Sequence, residues 1–383
     1  MESKCNKLIS FIREQFSTPE GPVPLHEPCF TGNERKYVLD AINSTFVSSV
    51  GAYVNRFEAM ICEYTGSKHA IATVNGTSSL HISLKLAGVG AGEEVLTQSL
   101  SFIATANSIA YCNAQPVFLD VDLNTLGLSP SALKGFLEEF AEVKESVCFN
   151  KKTGRRIAAV LPMHTFGLPC SIIEINQICK EYNIPLIEDA AEALGSYVND
   201  KHTGTYGLFG TFSFNGNKTI TCGGGGAIIT NDSALATKAK HITTTAKIPH
   251  KWEYLHDAIG YNYRMPNLNA AMACAQLEQL PLFIEKKRGL AKKYIQLCED
   301  LELNFITEAE GTFSNYWLNA ICLKNREERN KTLELLNNAG INSRPVWTLA
   351  HKMPMYAHCQ KDNQSNADWL EDRIINIPSS VIM

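Results

Sequence analysis

One lysine, Lys218, stands in a short polar loop between apolar segments, in the stretch "SFNGNKTITCGGGGAIIT" that covers residues 213–230. It could hold a phosphate by its charge, or form a covalent bond through its amine. A phosphate loop, G-x-x-x-x-G-K-[ST], places the lysine directly after the glycine-rich turn. Here Asn217 separates Gly216 from the lysine, and the four glycines follow it. A solvated surface lysine is the ordinary alternative, but apolar surroundings favour a neutral, nucleophilic amine. The pattern therefore favours covalent chemistry.

A carboxylate at the end of an apolar strand is the second candidate. In "IPLIEDAAEALGS" the strand ends at Asp189, and ligands of open α/β sheets bind at the carboxyl ends of strands. A pyridine cofactor acts as an electron sink when a carboxylate keeps its ring nitrogen protonated. A helix N-cap is the alternative interpretation of this aspartate.

Two further features could hold the phosphate and the ring of such a cofactor. In "VNGTSSLH", Gly76 allows close approach and Thr77 and Ser78 add hydroxyls at the start of a predicted helix, where backbone amides bind anions. In "SFIATAN", Phe102 offers an aromatic face. Taken singly, the turn could be a simple cap and the aromatic residue a core residue.

The order of these features decides between the alternatives. A phosphate turn, an aromatic residue, a strand-end aspartate and then a lysine about 30 residues on follow one another along the chain. The cofactor that needs all four is pyridoxal 5'-phosphate, with Lys218 as its Schiff-base lysine.

Helices and short apolar strands alternate from about residue 33 to 240, which predicts an α/β fold with a mostly parallel sheet covered on both faces. We expect an N-terminal arm over 1–32, a large cofactor-binding domain over 33–245, and a small α+β domain over 246–383. Residues 75–89 are expected to be helical rather than a strand because a strand ends just before them, and the long helical region after residue 266 is expected to be interrupted near Pro281.

Composition excludes several classes of protein. The 383 residues are 45% hydrophobic and 19% charged with a net charge of −4, so neither nucleic-acid nor membrane-surface binding is indicated. The N-terminus is typical of an amphipathic helix rather than a signal peptide. No C-x-x-C pair occurs among the twelve cysteines, so no metal site is predicted and free thiols in a reducing cytoplasm are expected.

At these motifs the chain resembles the fold-type-I pyridoxal-phosphate enzymes, and more closely the DegT/DnrJ/EryC/StrS sugar aminotransferases. The matching segments are "NGTSSLH", "SFIATANSI", "PMHTFG", "IEDAAEALGS", "SFNGNK" with its glycines, and "GYNYRMPNLNAA". Some members of the family carry histidine in place of the lysine and are dehydrases, so Lys218 indicates transamination.

The resemblance also implies the roles of single residues. Lys218 would form the Schiff base and move the proton, Asp189 would pair with the pyridinium, and Phe102 would stack on the ring. The phosphate would be held by Gly76, Thr77, Ser78 and Ser213. Glu192, where the family often has glutamine, would contact the cofactor hydroxyl. Asn262 would reach the phosphate of the neighbouring subunit, which implies an obligate homodimer with shared active sites.

Within the family the resemblance extends to 4-aminotransferases of nucleotide-linked 4-keto-6-deoxy-hexosamines, such as the one of the legionaminic-acid pathway. It implies L-glutamate as amino donor and a nucleotide-sugar near Arg344, Trp347 and His351. A sugar 3-aminotransferase, a non-catalytic pyridoxal-phosphate-binding protein and a nucleotide-phosphate hydrolase are the alternatives. The resemblance also implies a final helix beyond "NIPSSVIM", which relatives usually have, whereas the given sequence stops there.

Overall fold

The computed structural model describes residues 2–383. Its helices are α1 (Glu2–Gln15), α2 (Glu34–Asn43), α3 (Ala52–Thr65), α4 (Gly76–Leu86), α5 (Ile103–Tyr111), α6 (Pro130–Phe140), α7 (Ile172–Glu181), α8 (Ser233–Thr243), α9 (Asn267–Asp300), α10 (Arg326–Asn338) and α11 (Ser365–Glu371). Its strands are β1 (His69–Thr73), β2 (Glu94–Gln98), β3 (Gln115–Leu119), β4 (Ala141–Lys144), β5 (Val147–Asn150), β6 (Ile157–Leu161), β7 (Ile187–Asp189), β8 (Tyr197–Val198), β9 (Lys201–His202), β10 (Phe209–Ser213), β11 (Gly226–Thr230), β12 (Lys247–Ile248), β13 (Leu255–His256), β14 (Asn304–Phe305), β15 (Thr312–Phe313), β16 (Asn319–Cys322), β17 (Arg344–Pro345) and β18 (Ile374–Ile377).

The central sheet has the strand order β3-β2-β6-β7-β10-β11-β1. Strand β2 pairs in parallel with β3 on one side and with β6 on the other, and β10 pairs in parallel with β7. Two single parallel bridges, Val160–Leu186 and Met163–Asp189, connect the β6 segment to the β7 segment. Within this sheet only β11 is antiparallel to its neighbours, β1 and β10. The predicted α/β fold with a mostly parallel sheet is confirmed.

Successive side chains along each strand point to opposite faces of the sheet and pack into two separate hydrophobic cores. Along β11, Ile228 packs among residues of α4, α5 and α8, whereas Ala227 and Ile229 face α3 and the first half of α9. Helices α6 and α7 cover the other strands on this second face. Burial on both faces explains why β2, β6 and β11 are fully buried.

The C-terminal part builds a smaller antiparallel sheet of order β14-β16-β18-β17. Its core includes residues of α10 and of the second half of α9, and Leu8 and Ile12 of α1 pack into it as well. The N-terminal helix is therefore attached to the C-terminal sheet. The domain limits stay a prediction, because α9 contributes to both cores.

Helix α9 corrects the expected interruption near Pro281. It runs unbroken over 34 residues with Pro281 inside it. Proline removes one backbone hydrogen bond, but Leu280, Phe283 and Ile284 around it are buried against α3 and the sheet. We attribute the continuity of the helix to this packing.

In residues 2–383 there is no helix with both the length and the apolar character that crossing a membrane requires.

Candidate active site

A cavity of about 360 Å³ opens where the carboxyl ends of β7 and β10 meet the N-terminus of α4. This is the edge at which parallel strands of α/β proteins present their ligands. The lining comprises Asn75, Gly76, Thr77, Leu80, Phe102, Ala104, Thr105, Met163, Asp189, Ala191, Glu192, Ser213, Asn215, Asn217, Lys218, Trp317 and Trp347.

Lys218 extends into this cavity from the loop between β10 and β11. Its backbone amide donates to the Asn215 carbonyl at 3.0 Å, which fixes the turn. Its Nζ donates to Glu192 Oε1 at 3.1 Å and lies 4.1 Å from the centre of the Trp317 ring. With 13% of its side chain exposed, the amine is held inside the cavity and its reacting atom is oriented.

Asp189 ends β7 and is 3% exposed. Its Oδ2 accepts from the Thr105 hydroxyl at 2.7 Å, and its Oδ1 accepts from the Ala191 amide at 3.2 Å. Burial raises the pKa of this carboxyl, and the Thr105 hydrogen bond opposes the shift. A buried carboxylate with two donors is well placed to bind a protonated ring nitrogen.

Glu192 lies in the loop that follows β7. Its Oε2 accepts from the Phe166 amide at 3.0 Å while Oε1 faces Lys218. Burial raises its pKa to about 7, and the charge of Lys218 is the largest opposing influence. The side chain therefore changes charge near neutral pH, beside the reactive amine.

The turn before α4 forms an anion cradle. Asn75 caps the helix by accepting from the Ser78 amide at 2.8 Å. The amides of Gly76 and Thr77, in the first turn, have no partner within the helix. A Cβ atom at Gly76 would lie 2.8 Å from the Ser213 Cβ, so glycine is required for this turn to approach the end of β10.

Aromatic rings form one wall of the cavity. The Phe102 and Trp347 ring centres are 6.3 Å apart. The indole nitrogen of a third aromatic residue, Trp317, donates to the Asn217 carbonyl at 2.7 Å and so ties this ring to the lysine loop. Such rings can cover the faces of a planar ligand.

Most of the predicted site residues meet here, and four do not line the cavity. Ser78 is buried below the turn, with its amide used by the cap. Asn262 is exposed and its Oδ1 accepts from Arg264. Arg344 is exposed on β17, and His351 is 7% exposed, with its pKa lowered by burial. Their roles remain predictions.

Two contacts of the site were missed by the sequence analysis. Thr105 holds Asp189 and lies within the "SFIATAN" segment from which only Phe102 had been selected. Trp317 contacts Lys218 from 99 residues further along the chain. A threonine in the first turn of a helix carries no signal of its own, and the tryptophan is brought to the site by tertiary packing alone.

These residues fit pyridoxal phosphate. The cradle of Gly76, Thr77 and Ser213 suits its phosphate, Asp189 suits its ring nitrogen, and the Lys218 amine suits its aldehyde carbon. The site and the α/β sheet together define a fold-type-I enzyme that uses pyridoxal 5'-phosphate.

The chain belongs to the DegT/DnrJ/EryC1/StrS aminotransferase family, whose sequence profile matches residues 28–383. It is 38% identical over 360 residues to GDP-perosamine synthase of Vibrio cholerae, covering 93% of this chain and 94% of that one. It is 36% identical over 360 residues to the putative pyridoxal phosphate-dependent aminotransferase EpsN of Bacillus subtilis, with 93% and 90% covered. Among solved structures, the aminotransferase TlmJ from Streptoalloteichus hindustanus superimposes with a TM-score of 0.85 at 26% identity, covering 94% of each chain. The protein is thus a pyridoxal-phosphate-dependent sugar aminotransferase.

Proposed function

We propose that this enzyme converts the C4 ketone of a nucleotide-linked 4-keto-6-deoxy-hexosamine into an amine, with L-glutamate as the amino donor. The observation that carries the proposal is the Lys218 amine, held 3.1 Å from a buried carboxylate in a cavity that also contains an anion cradle and Asp189. A non-catalytic cofactor-binding protein would need the cradle alone.

The residues divide the chemical work between them. Pyridoxal phosphate supplies an electron sink and a carrier for the amino group when it is bound. Gly76, Thr77 and Ser213 would bind and orient its phosphate, and Asp189 would hold a proton on its ring nitrogen. Lys218 would provide the covalent anchor, and its Nζ, when free, would take and return the proton during transfer.

The names of the similar proteins favour one nucleotide as the carrier of the sugar. Three of them, from Vibrio cholerae, Escherichia coli O157:H7 and Caulobacter vibrioides, are named GDP-perosamine synthase. Their names favour GDP as carrier and C4 as the position, whereas the motif resemblance to the legionaminic-acid-pathway subgroup favours a sugar with a 2-acetamido group. Both substrates share the 4-keto-6-deoxy ring.

We also propose that the active sites are shared within a homodimer. Asn262 lies outside its own cavity and is exposed. Close to it in the chain, Trp252, Tyr254 and Ile259 are 71%, 80% and 88% exposed. Large apolar side chains exposed to this extent are typical of surfaces that bind another protein, and a second copy would cover them while bringing Asn262 to its cradle. We propose further that the nucleotide-sugar contacts Trp347, Arg344 and His351.

The experiment is a substrate panel. The holoenzyme is incubated with L-glutamate and 4-keto-6-deoxy sugars carried on GDP or UDP, with and without a 2-acetamido group. We expect 2-oxoglutarate and a C4 amine, identified by NMR of the product, from at least one sugar. A parallel incubation uses the corresponding 3-keto sugars, and a C3 amine formed from these alone would identify a 3-aminotransferase. Failure of glutamate to release 2-oxoglutarate with any sugar would refute the assigned reaction.

A further inference from the structure

Lys218 is paired with a carboxylate rather than with a neutral amide. In residues 2–383 its one salt bridge is to Glu192, at 3.1 Å, and the glutamate side chain is 1% exposed. The other carboxylate oxygen is held by the Phe166 amide at 3.0 Å. The carboxylate therefore cannot swing away from the amine without leaving a buried donor unpaired, which is costly.

The charges around this pair constrain its proton. The titratable groups that face Glu192 are Lys218 and Asp189, and the charge of Asp189 disfavours a second anion beside it. Two histidines lie further out: His26, whose pKa is lowered by burial, is close enough to feel the charge of Lys218, and His164 acts on Asp189. The Trp317 ring also covers the amine, with its centre 4.1 Å from Nζ. Burying separate charges is costly, and moving a proton from the ammonium to the Glu192 carboxylate replaces the ion pair by a neutral pair and so relieves that cost.

We propose that Glu192 is the acid–base partner of Lys218. The carboxylate accepts a proton from Nζ when the amine must become nucleophilic, and returns it when the ammonium forms again. In this step an N–H bond breaks and an O–H bond forms on Oε1, so an ion pair becomes a neutral pair without a net change in charge. The inference concerns the same site as the proposed function and rests on it.

Glutamine provides the matched variant. It has nearly the same shape as glutamate and can accept the Phe166 amide through its carbonyl oxygen, but it cannot take a proton. With that oxygen occupied, its amide nitrogen faces Nζ and can donate only to a neutral amine. Glu192→Gln should therefore favour the unprotonated form of Lys218 while leaving the packing intact.

The test is trace acetylation of the full-length apoprotein between pH 5 and 10. The peptide that contains Lys218 is quantified by mass spectrometry, with Lys238, exposed on α8, as reference amine. We expect the labelling midpoint of Lys218 in Glu192→Gln to fall by about one to three pH units, the usual influence of one neighbouring charge. Asp189→Asn, which removes the carboxylate that does not contact Nζ, should move the midpoint less.

A midpoint that is unchanged in Glu192→Gln, or that moves more in Asp189→Asn, would overturn the proposal. If the glutamine variant fails to fold, Glu192→Met, uncharged and of similar volume, must show the same fall, and an unchanged midpoint there would overturn it equally. Borohydride trapping of pyridoxal phosphate on wild-type Lys218 keeps the two hypotheses apart. Absence of trapping contradicts the proposed function, whereas trapping with an unshifted midpoint contradicts this inference alone.

Discussion

At the scale of single residues, Asp189 is the group whose charge the site most depends on. Its carboxylate is already organised by Thr105 and the Ala191 amide, so Asp189→Asn keeps the shape and one acceptor but loses the charge that stabilises a protonated ring nitrogen. We expect turnover to fall by about 10²–10⁴-fold, the usual scale of a lost acid–base contribution, while cofactor still binds through the cradle. Steady-state kinetics and a cofactor titration measure both quantities. A near-normal rate would mean that another residue pairs with the ring nitrogen.

Glu192 predicts a pH dependence of stability in the apoprotein. Its pKa is raised from 4.5 to about 7 by burial, so the folded state binds this proton more tightly than the unfolded chain. The resulting stabilisation is complete below about pH 4.5 and is lost as the pH rises through about 7. Urea unfolding of wild-type and Glu192→Gln protein from pH 4.5 to 8 should show a decline in the free energy of unfolding that is steeper for the wild type. Parallel curves for the two proteins would contradict the raised pKa.

The sequence analysis selected Asp189 and Lys218 for two reasons: each is a polar residue next to or between apolar segments, and both fit the order of features that a cofactor site needs. Asp189 ends the buried strand β7, and Lys218 lies in the loop between β10 and β11. Thr105 and Trp317 could not be found in this way. A threonine in a helix and a tryptophan in an apolar segment fit ordinary packing, and their contacts with the site depend on how distant segments meet.

At the scale of elements, the close approach of the N-terminus of α4 to the end of β10 determines the shape of the anion cradle. Gly76→Ala would place a Cβ 2.8 Å from the Ser213 Cβ and 3.4 Å from the Phe212 carbonyl oxygen. Because the phosphate amides lie in this turn, we expect cofactor affinity to weaken by about tenfold or more, equivalent to ~1.4 kcal/mol. Fluorescence titration of the apoprotein with pyridoxal phosphate measures the change.

Gly289→Ala is the matched control for that substitution. Gly289 lies on the exposed side of α9 with open space around a would-be Cβ. Alanine there should raise the free energy of unfolding by roughly 0.5–1 kcal/mol through helix propensity, with cofactor affinity unchanged. Equal cofactor affinities in the two variants would show that the contact of Gly76 with β10 does not shape the site.

Periodicity in the sequence predicted most helices and strands correctly, but it did not predict the continuous helix α9. The ambiguous 75–89 segment is helical over α4, as predicted from the strand that ends just before it, and the parallel strands were recognised by their continuous apolar runs. The predicted break at Pro281 was wrong because burial on either side of a proline can outweigh one lost hydrogen bond. Local propensity could not include that tertiary contribution.

At the scale of the whole molecule, mixed dimers test whether active sites are shared. A hydrogen bond to a charged group is worth roughly 1.5–3 kcal/mol, so Asn262→Ala should weaken cofactor binding by about ten- to a hundredfold. In a dimer of a Lys218→Ala chain with an Asn262→Ala chain, the one lysine-bearing site receives an intact amide from its partner and should bind normally. Titration of the purified heterodimer measures this affinity.

The reciprocal heterodimer is the control. Wild type paired with the double variant Lys218→Ala/Asn262→Ala has its one lysine-bearing site on the wild-type chain, which lacks the amide from across the interface and should bind weakly. Self-contained sites give the opposite result in both mixtures. Weak binding in the first heterodimer with normal binding in the second would therefore refute shared sites.

The central claim is that the Lys218 amine carries the cofactor, and borohydride reduction of the holoenzyme tests it most directly. The chain holds a second buried lysine, Lys287 on α9, which is 1% exposed and whose pKa is lowered to about 7 by burial. Its Nζ donates to the Trp317 carbonyl, outside the cavity lining. After reduction and digestion, we expect the added mass of the reduced cofactor on the peptide that contains Lys218, and none in Lys218→Ala protein. The same mass on the Lys287 peptide, or on no lysine at all, would contradict the account.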